Sequence, residues 1–186
     1  NGEKKSHEEL AEKLRKVEEA GITVLVIPGN HDINNTNAKG FKEDTTYPVE
    51  YTSPQEFAWI YGEFGYNEAI SKDAETLSYV YQLTDDIRML MLDTCQYHEG
   101  YAKVGGAVMP DTYDWIENQL EDAWNNDMYV IPVAHHNLLD ESEIYVQDCT
   151  IEHSGELIEK LAGWEISLFL SGHLHVQHMM EEEGDV

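Results

Sequence analysis

Three apolar runs in this chain end abruptly in polar side chains able to ligate a metal. ITVLVI at 22–27 leads through Pro-Gly into Asn30, His31 and Asp32; YVIPVA at 129–134 leads into His135 and His136; and ISLFL at 166–170 leads through Ser-Gly into His173 and His175. Each run predicts a buried strand that delivers polar groups from its C-terminal end. Pro132 lies within the second run, which places that strand near an edge or a bulge.

Helical spacing separates these runs. Leu10, Leu14 and Val17 predict a helix over 7–20, with Ser6 and Glu9 at capping-box spacing and Gly21 at the C-terminal stop. Ser53-Pro54 starts a short helix reaching about Tyr61. Pro110 starts another, with Tyr113, Ile116, Leu120 and Trp124 on one face, and residues 153–162 form a third. TLSYVYQL and IRMLMLD, separated by Asp85-Asp86, read as a hairpin or two neighbouring strands with Asp93 at a strand end. Residues 32–53 and 97–106 read as loops, Gly105-Gly106 marks flexibility or a close backbone approach, and the acidic stretch 181–185 reads as a loop or frayed end. The alternation of strands and helices predicts an α/β fold.

Composition narrows the function classes. The length of 186 residues suits one domain, and a 41% hydrophobic content with four Trp and eleven Tyr excludes wholesale disorder. No apolar run is long enough to span a membrane. Lys plus Arg number 11 against 37 Asp plus Glu, a formal charge of -26. That field argues against a nucleic-acid scaffold, and it would repel a phosphorylated substrate unless metal ions reverse the local sign. Cys95 and Cys149 are the only cysteines, able to pair in an oxidising compartment or to stay as free thiols. No targeting segment is visible, which leaves cytoplasmic and exported locations both open. Oligomeric state leaves no signature.

Asn-His-Asp after a strand would by itself read as a turn. The two later histidine pairs change that reading, because neutral imidazoles and side-chain oxygens suit zinc, iron, manganese or nickel. His173 and His175 are alternate residues that would point the same way on an extended segment, whereas the adjacent His135 and His136 would point apart. One of that adjacent pair can therefore reach a metal while the other supports a loop or meets substrate. Asp93 and Asp140 are the nearest acids by strand-end position, and Asp93 is expected to support a neighbouring loop. His98, His153 and His178 are expected at the surface, in packing or beside ligands.

Gly29-Asn30-His31-Asp32, His135-His136 and Gly172-His173-Leu174-His175, taken together, resemble the second half of the calcineurin-like metallophosphoesterase signature. The resemblance implies a two-sheet α/β sandwich with a dinuclear metal centre at its strand ends. It implies that Asn30, His135 and His173 bind one of two divalent ions (Mn, Fe, Zn or Ni) and His175 the other, with His136 an alternative ligand or substrate contact. His31 would act catalytically at the scissile phosphate, and Asp32 would orient it. The implied reaction is hydrolysis of a small phosphomonoester or phosphodiester by a metal-activated hydroxide.

The chain also departs from the family. No Asp-x-His or Gly-Asp motif precedes Gly29, so residues 1–186 read as a single, N-terminally incomplete domain. The complete parent is expected to be the enzyme, and this piece alone to lack the metal-bridging aspartate that catalysis needs. Two alternatives stand beside this reading: a noncatalytic metal- or phosphate-binding protein, and an acidic structural or interaction domain.

Overall fold

Antiparallel pairing of YVYQ with IRMLML forms the centre of the computed structural model, which describes residues 2–98, 103–140 and 148–181. The elements run α1 (Lys4–Glu19), β1 (Lys39–Lys42), β2 (Thr45–Pro48), α2 (Pro54–Ile60), a π-type turn (Gly62–Tyr66), β3 (Ser71–Lys72), β4 (Tyr79–Gln82), β5 (Ile87–Leu92), α3 (Pro110–Asn125), β6 (Tyr129–Ala134) and α4 (Ser154–Gly163). One sheet has the order β3-β4-β5-β6, and β1 and β2 make a separate two-stranded sheet. The expected α/β architecture with two sheets is present. Residues 99–102 of the expected 97–106 loop, and 182–185 of the expected acidic end, lie outside the described residues.

Side chains alternate across the larger sheet with the period of two that strands impose. Tyr79, Tyr81, Met89, Met91 and Val133 face a layer holding Ala11 and Leu14 of α1, Phe57 and Ile60 of α2, and the 24–27 run. Val80, Leu90, Leu92, Val130 and Ala134 face α3 and α4 through Ile116, Leu120, Leu157 and Leu161. Full burial of side chains such as Leu90, Ile116 and Leu157 stabilises the fold by about 1.5–3 kcal/mol each. β5 and β6 pair in parallel, from Ile87 with Tyr129 to Leu92 with Ala134, and α3 supplies the crossover. Pro132 is on the sheet's edge strand, as its missing N–H requires. Among the described residues no helix is long and apolar enough to cross a membrane.

Local chemistry accounts for the helix ends. The Ser53 hydroxyl accepts from the Glu56 amide while the Glu56 carboxylate accepts from the Ser53 amide, a complete capping box behind Pro54. Gly21, at φ +85°, donates to the Glu18 carbonyl, and the Ile22 amide donates back to Val17. Those two bonds are the Schellman pattern that a glycine after a helix permits.

Five expectations need correction. The first helix begins at Lys4 with Glu3 as its N-cap, so Ser6 is inside the helix and caps nothing. Its buried stripe begins with His7 and Ala11 and continues to Leu14, whereas Leu10 is 45% exposed. Residues 32–53 are not wholly irregular, since the exposed β1–β2 hairpin lies within them. Neither the 22–27 run nor the 166–170 run is a regular strand. The Val26 amide faces the Phe64 carbonyl and the Tyr79 hydroxyl in place of a neighbouring ladder. The second run reaches β6 through one parallel bridge, Leu170 with Val133. On α3, Trp124 is 55% exposed and packs edge-on against Trp164, leaving the buried face to Thr112, Ile116, Leu120 and Ala123. No disulfide joins Cys95 to Cys149, and Cys95 is buried.

Candidate metal centre

The three apolar runs end side by side. His135 follows directly on β6, and the amide of Gly172 donates to the His135 carbonyl, so the 172–175 segment is tied against the strand end. Gly29 lies against the His135 ring, where a Cβ would come within 2.9 Å of Cε1. Only a glycine allows the Asn30 loop to approach that closely.

Asn30 Oδ1, His135 Nε2 and His173 Nδ1 converge there. Asn30 Oδ1 is 3.0 Å from His135 Nε2, which is 3.2 Å from His173 Nδ1. Donor atoms each about 2.0–2.1 Å from one ion lie about 2.8–3.4 Å apart at octahedral to tetrahedral angles. Both separations therefore suit ligands of one divalent ion.

Hydrogen bonds fix which ring nitrogens are available. His173 Nε2 lies 2.8 Å from the Asp148 carbonyl and must carry the proton it donates, so Nδ1 presents its lone pair toward His135. His135 is held down to a pKa of about 4, first by burial and then by the neighbouring His136 and His173, and is neutral as a ligand must be.

His136 belongs by proximity to the same three-histidine group, whose ligand atoms all lie within 4.8 Å of one another. Its hydrogen bonds decide against ligation. Nε2–H donates to the Val104 carbonyl at 3.0 Å and Nδ1 accepts from the Thr94 hydroxyl at 2.8 Å, so both nitrogens are engaged in a ring that is 0% exposed. Burial, followed by the charge His173 would carry, lowers its pKa to about 4. A Cβ on Gly106 would come within 2.4 Å of the ring, so the Gly105-Gly106 step is a close backbone approach beneath His136.

The remaining candidates lie outside the three-histidine group. His31 is exposed at the loop tip, and the Asn35 amide donates to its carbonyl. One Asp32 oxygen accepts from the Gly29 amide at 2.7 Å and the other faces His7 at 3.7 Å; among the described residues no hydrogen bond joins the carboxylate to the His31 ring. His175 is exposed and outside the three-histidine group. His173 and His175 both have positive φ, 66° and 56°, and the Leu174 amide turns back to the Gly172 carbonyl. The segment is thus coiled, not extended, and alternate residues need not share a direction.

Asp93 is buried and commits its oxygens to the Leu77 amide, the Cys95 amide and the Tyr97 hydroxyl. It supports a loop, as expected, and burial raises its pKa. The Cys95 thiol donates to the Pro28 carbonyl, linking that loop to the Gly29-Asn30 turn. Sequence reasoning missed Thr94, Val104 and the Asp148 carbonyl; the last two act through backbone groups, which no side-chain motif records. A concavity of about 500 Å³ lies elsewhere, between the hairpin and Lys4, and is lined in part by the Lys4–Glu56 ion pair. The histidines sit instead at an open strand end.

The sequence profile of the calcineurin-like phosphoesterases matches residues 2–177, whereas no curated protein matches the chain. A match of that extent, with the strand-end donors gathered as described, shows that the chain belongs to the calcineurin-like phosphoesterase family.

Proposed function

We propose that this domain takes part in metal-dependent hydrolysis of a small phosphomonoester or phosphodiester. The observation that carries the reading is the convergence of Asn30 Oδ1, His135 Nε2 and His173 Nδ1 at one strand end. Asn30, His135 and His173 hold one divalent ion in this reading, and His175 serves a second. Bound there, Mn, Fe, Zn or Ni ions supply Lewis-acid polarisation of the phosphate and a nucleophile at neutral pH. They also reverse the sign of a strongly acidic protein where the anionic substrate docks.

The chain's own residues do the rest. The Asp148 carbonyl keeps the His173 proton on Nε2 and Nδ1 free for ligation. His136 holds loop 104–106 against the site through Val104. His31, exposed in the Asn30 turn, would in this reading meet the leaving oxygen and donate a proton to it. Asp32 closes the turn that carries His31 by accepting from the Gly29 amide.

The test is calorimetric titration with Mn²⁺, Zn²⁺, Fe²⁺ and Ni²⁺ beside release of p-nitrophenol from its phosphate monoester and diester. Binding that His135→Ala and His173→Ala abolish is the expected result; turnover that follows metal loading is expected only of protein that also carries the Asp-x-His and Gly-Asp motifs, neither of which precedes Gly29 here. No binding by any of the four ions would end the reading. A second reading, a single-ion noncatalytic site, is favoured by the lack of any carboxylate in the group of His135, His136 and His173; stoichiometric binding of one ion without turnover, in protein that carries both upstream motifs, would select it.

A further inference from the structure

We infer that His7 is a positioning residue for the Asn30–Asp32 tip, holding the outer oxygen of Asp32 from beneath while the inner oxygen closes the turn onto Gly29. His7 is 7% exposed in α1, among Phe57 and Tyr61 at ring-centroid distances of 5.6 and 5.7 Å. An imidazole in that apolar setting is costly unless both nitrogens are used.

Nδ1 lies 2.8 Å from the Tyr61 hydroxyl. Because the Asp32 carboxylate faces Nε2, the ring proton belongs on Nε2, and the Tyr61 hydroxyl donates to Nδ1. The His7 proton is then on Nε2, which has no hydrogen-bond partner and points across 3.7 Å to Asp32 Oδ1. That separation exceeds a hydrogen bond. The contact is electrostatic, strengthened by the low dielectric around a buried ring. The opposite tautomer would aim a lone pair at a carboxylate. Asp32 Oδ2 meanwhile accepts from the Gly29 amide, and the Asp32 amide donates to the Gly29 carbonyl. Tyr61, His7, Asp32 and Gly29 thus form one polar chain from α2 to the turn that carries Asn30 and His31.

Two substitutions separate this role from simple packing. His7→Gln keeps a donor near the Nε2 position, facing Asp32, whereas His7→Asn keeps an acceptor near Nδ1, facing Tyr61; both remove the ring. One measurement is exchange of the Gly29 amide in the metal-free protein. It should run about tenfold faster in His7→Asn than in His7→Gln at matched global stability, the change expected when a local opening loses one polar contact. The other is affinity for Mn²⁺, which should fall about tenfold in His7→Asn and stay near wild type in His7→Gln, at the low end of the effect of removing a group that orients a ligand.

The affinity measurement rests on the metal reading above, and the exchange measurement does not. A wild type that binds no Mn²⁺ would sink that reading and leave the exchange comparison to decide the role of His7. Equal exchange at Gly29 in the two variants would overturn the role, as would slower exchange in His7→Asn.

Discussion

Asn30 Oδ1 lies 3.0 Å from His135 Nε2 across 105 residues of chain. Neither side chain has a local reason to be there, since Asn30 follows a Pro-Gly step and His135 ends an edge strand. His173 Nδ1, 3.2 Å from the same nitrogen, makes the meeting three-way. Asn30→Ala and His173→Ala should therefore each lower affinity for Zn²⁺ by at least about 10–100-fold, because losing even the partner of a ligand has that effect. Calorimetric titration checks it, and unchanged affinity in either variant would remove that residue from the ligand set.

His136 should behave differently from its neighbour. Gly106→Ala forces a Cβ into space 2.4 Å from the His136 ring, which is held on both sides by Thr94 and Val104. Overpacking of this kind costs about 1–3 kcal/mol. For a chain of this size that lowers Tm by about 2–4 °C per kcal/mol. A melting curve identical to wild type would mean that the loop gives way freely.

Acid should weaken the metal-free protein before carboxylate titration begins. His135 and His136 have folded pKa values lowered to about 4 from an ordinary 6.5. The unfolded chain therefore binds protons between those values while the folded chain does not, and stability falls as pH drops from 6.5 towards 4. Above 6.5 both states are neutral at these positions and the contribution is complete. Urea unfolding at pH 7 and pH 5 measures the loss, and His136→Gln should reduce it. Equal slopes in the variant and wild type would assign the acid sensitivity to other groups.

Tyr97→Phe removes the hydroxyl that donates to Asp93, a carboxylate 4% exposed. Leaving a buried acceptor short of one donor costs about 1–3 kcal/mol. The variant should melt lower, and its Asp93 pKa should rise further because a bond that favours the charged form is gone. Carboxylate NMR through a pH series reads the second effect; a fall in that pKa would contradict the assignment.

Legibility followed range. The Ser53 N-cap, the Gly21 stop and the β4–β5 hairpin depend on neighbours in sequence, and each is where the residue types place it, whereas the Ser6–Glu9 spacing proved to lie inside a helix that starts at Lys4. The strand-end donors were legible because apolar runs followed by Asn or His are conspicuous. Leu10 misled the helix phase because an apolar residue was preferred over His7, which is buried only because Tyr61 and Asp32 flank it from distant segments. The choice between His135 and His136 depended on a carbonyl at Val104 and a hydroxyl at Thr94, neither of which carries a spacing signal. The extended geometry expected for His173 and His175 is not found, because both residues have left-handed backbone, which no spacing signal announces.

The parallel pairing of β5 with β6 has a consequence for the order of folding. The β4–β5 hairpin closes over a short turn, but β6 can join β5 only after α3 has spanned the crossover, a closure with a larger entropic cost. The donor cradle hangs from the far end of β6, so it assembles among the last contacts, and φ-values in β4 and β5 should exceed those in β6. Nascent chains would then expose their histidines until late, leaving ion capture to a nearly finished domain.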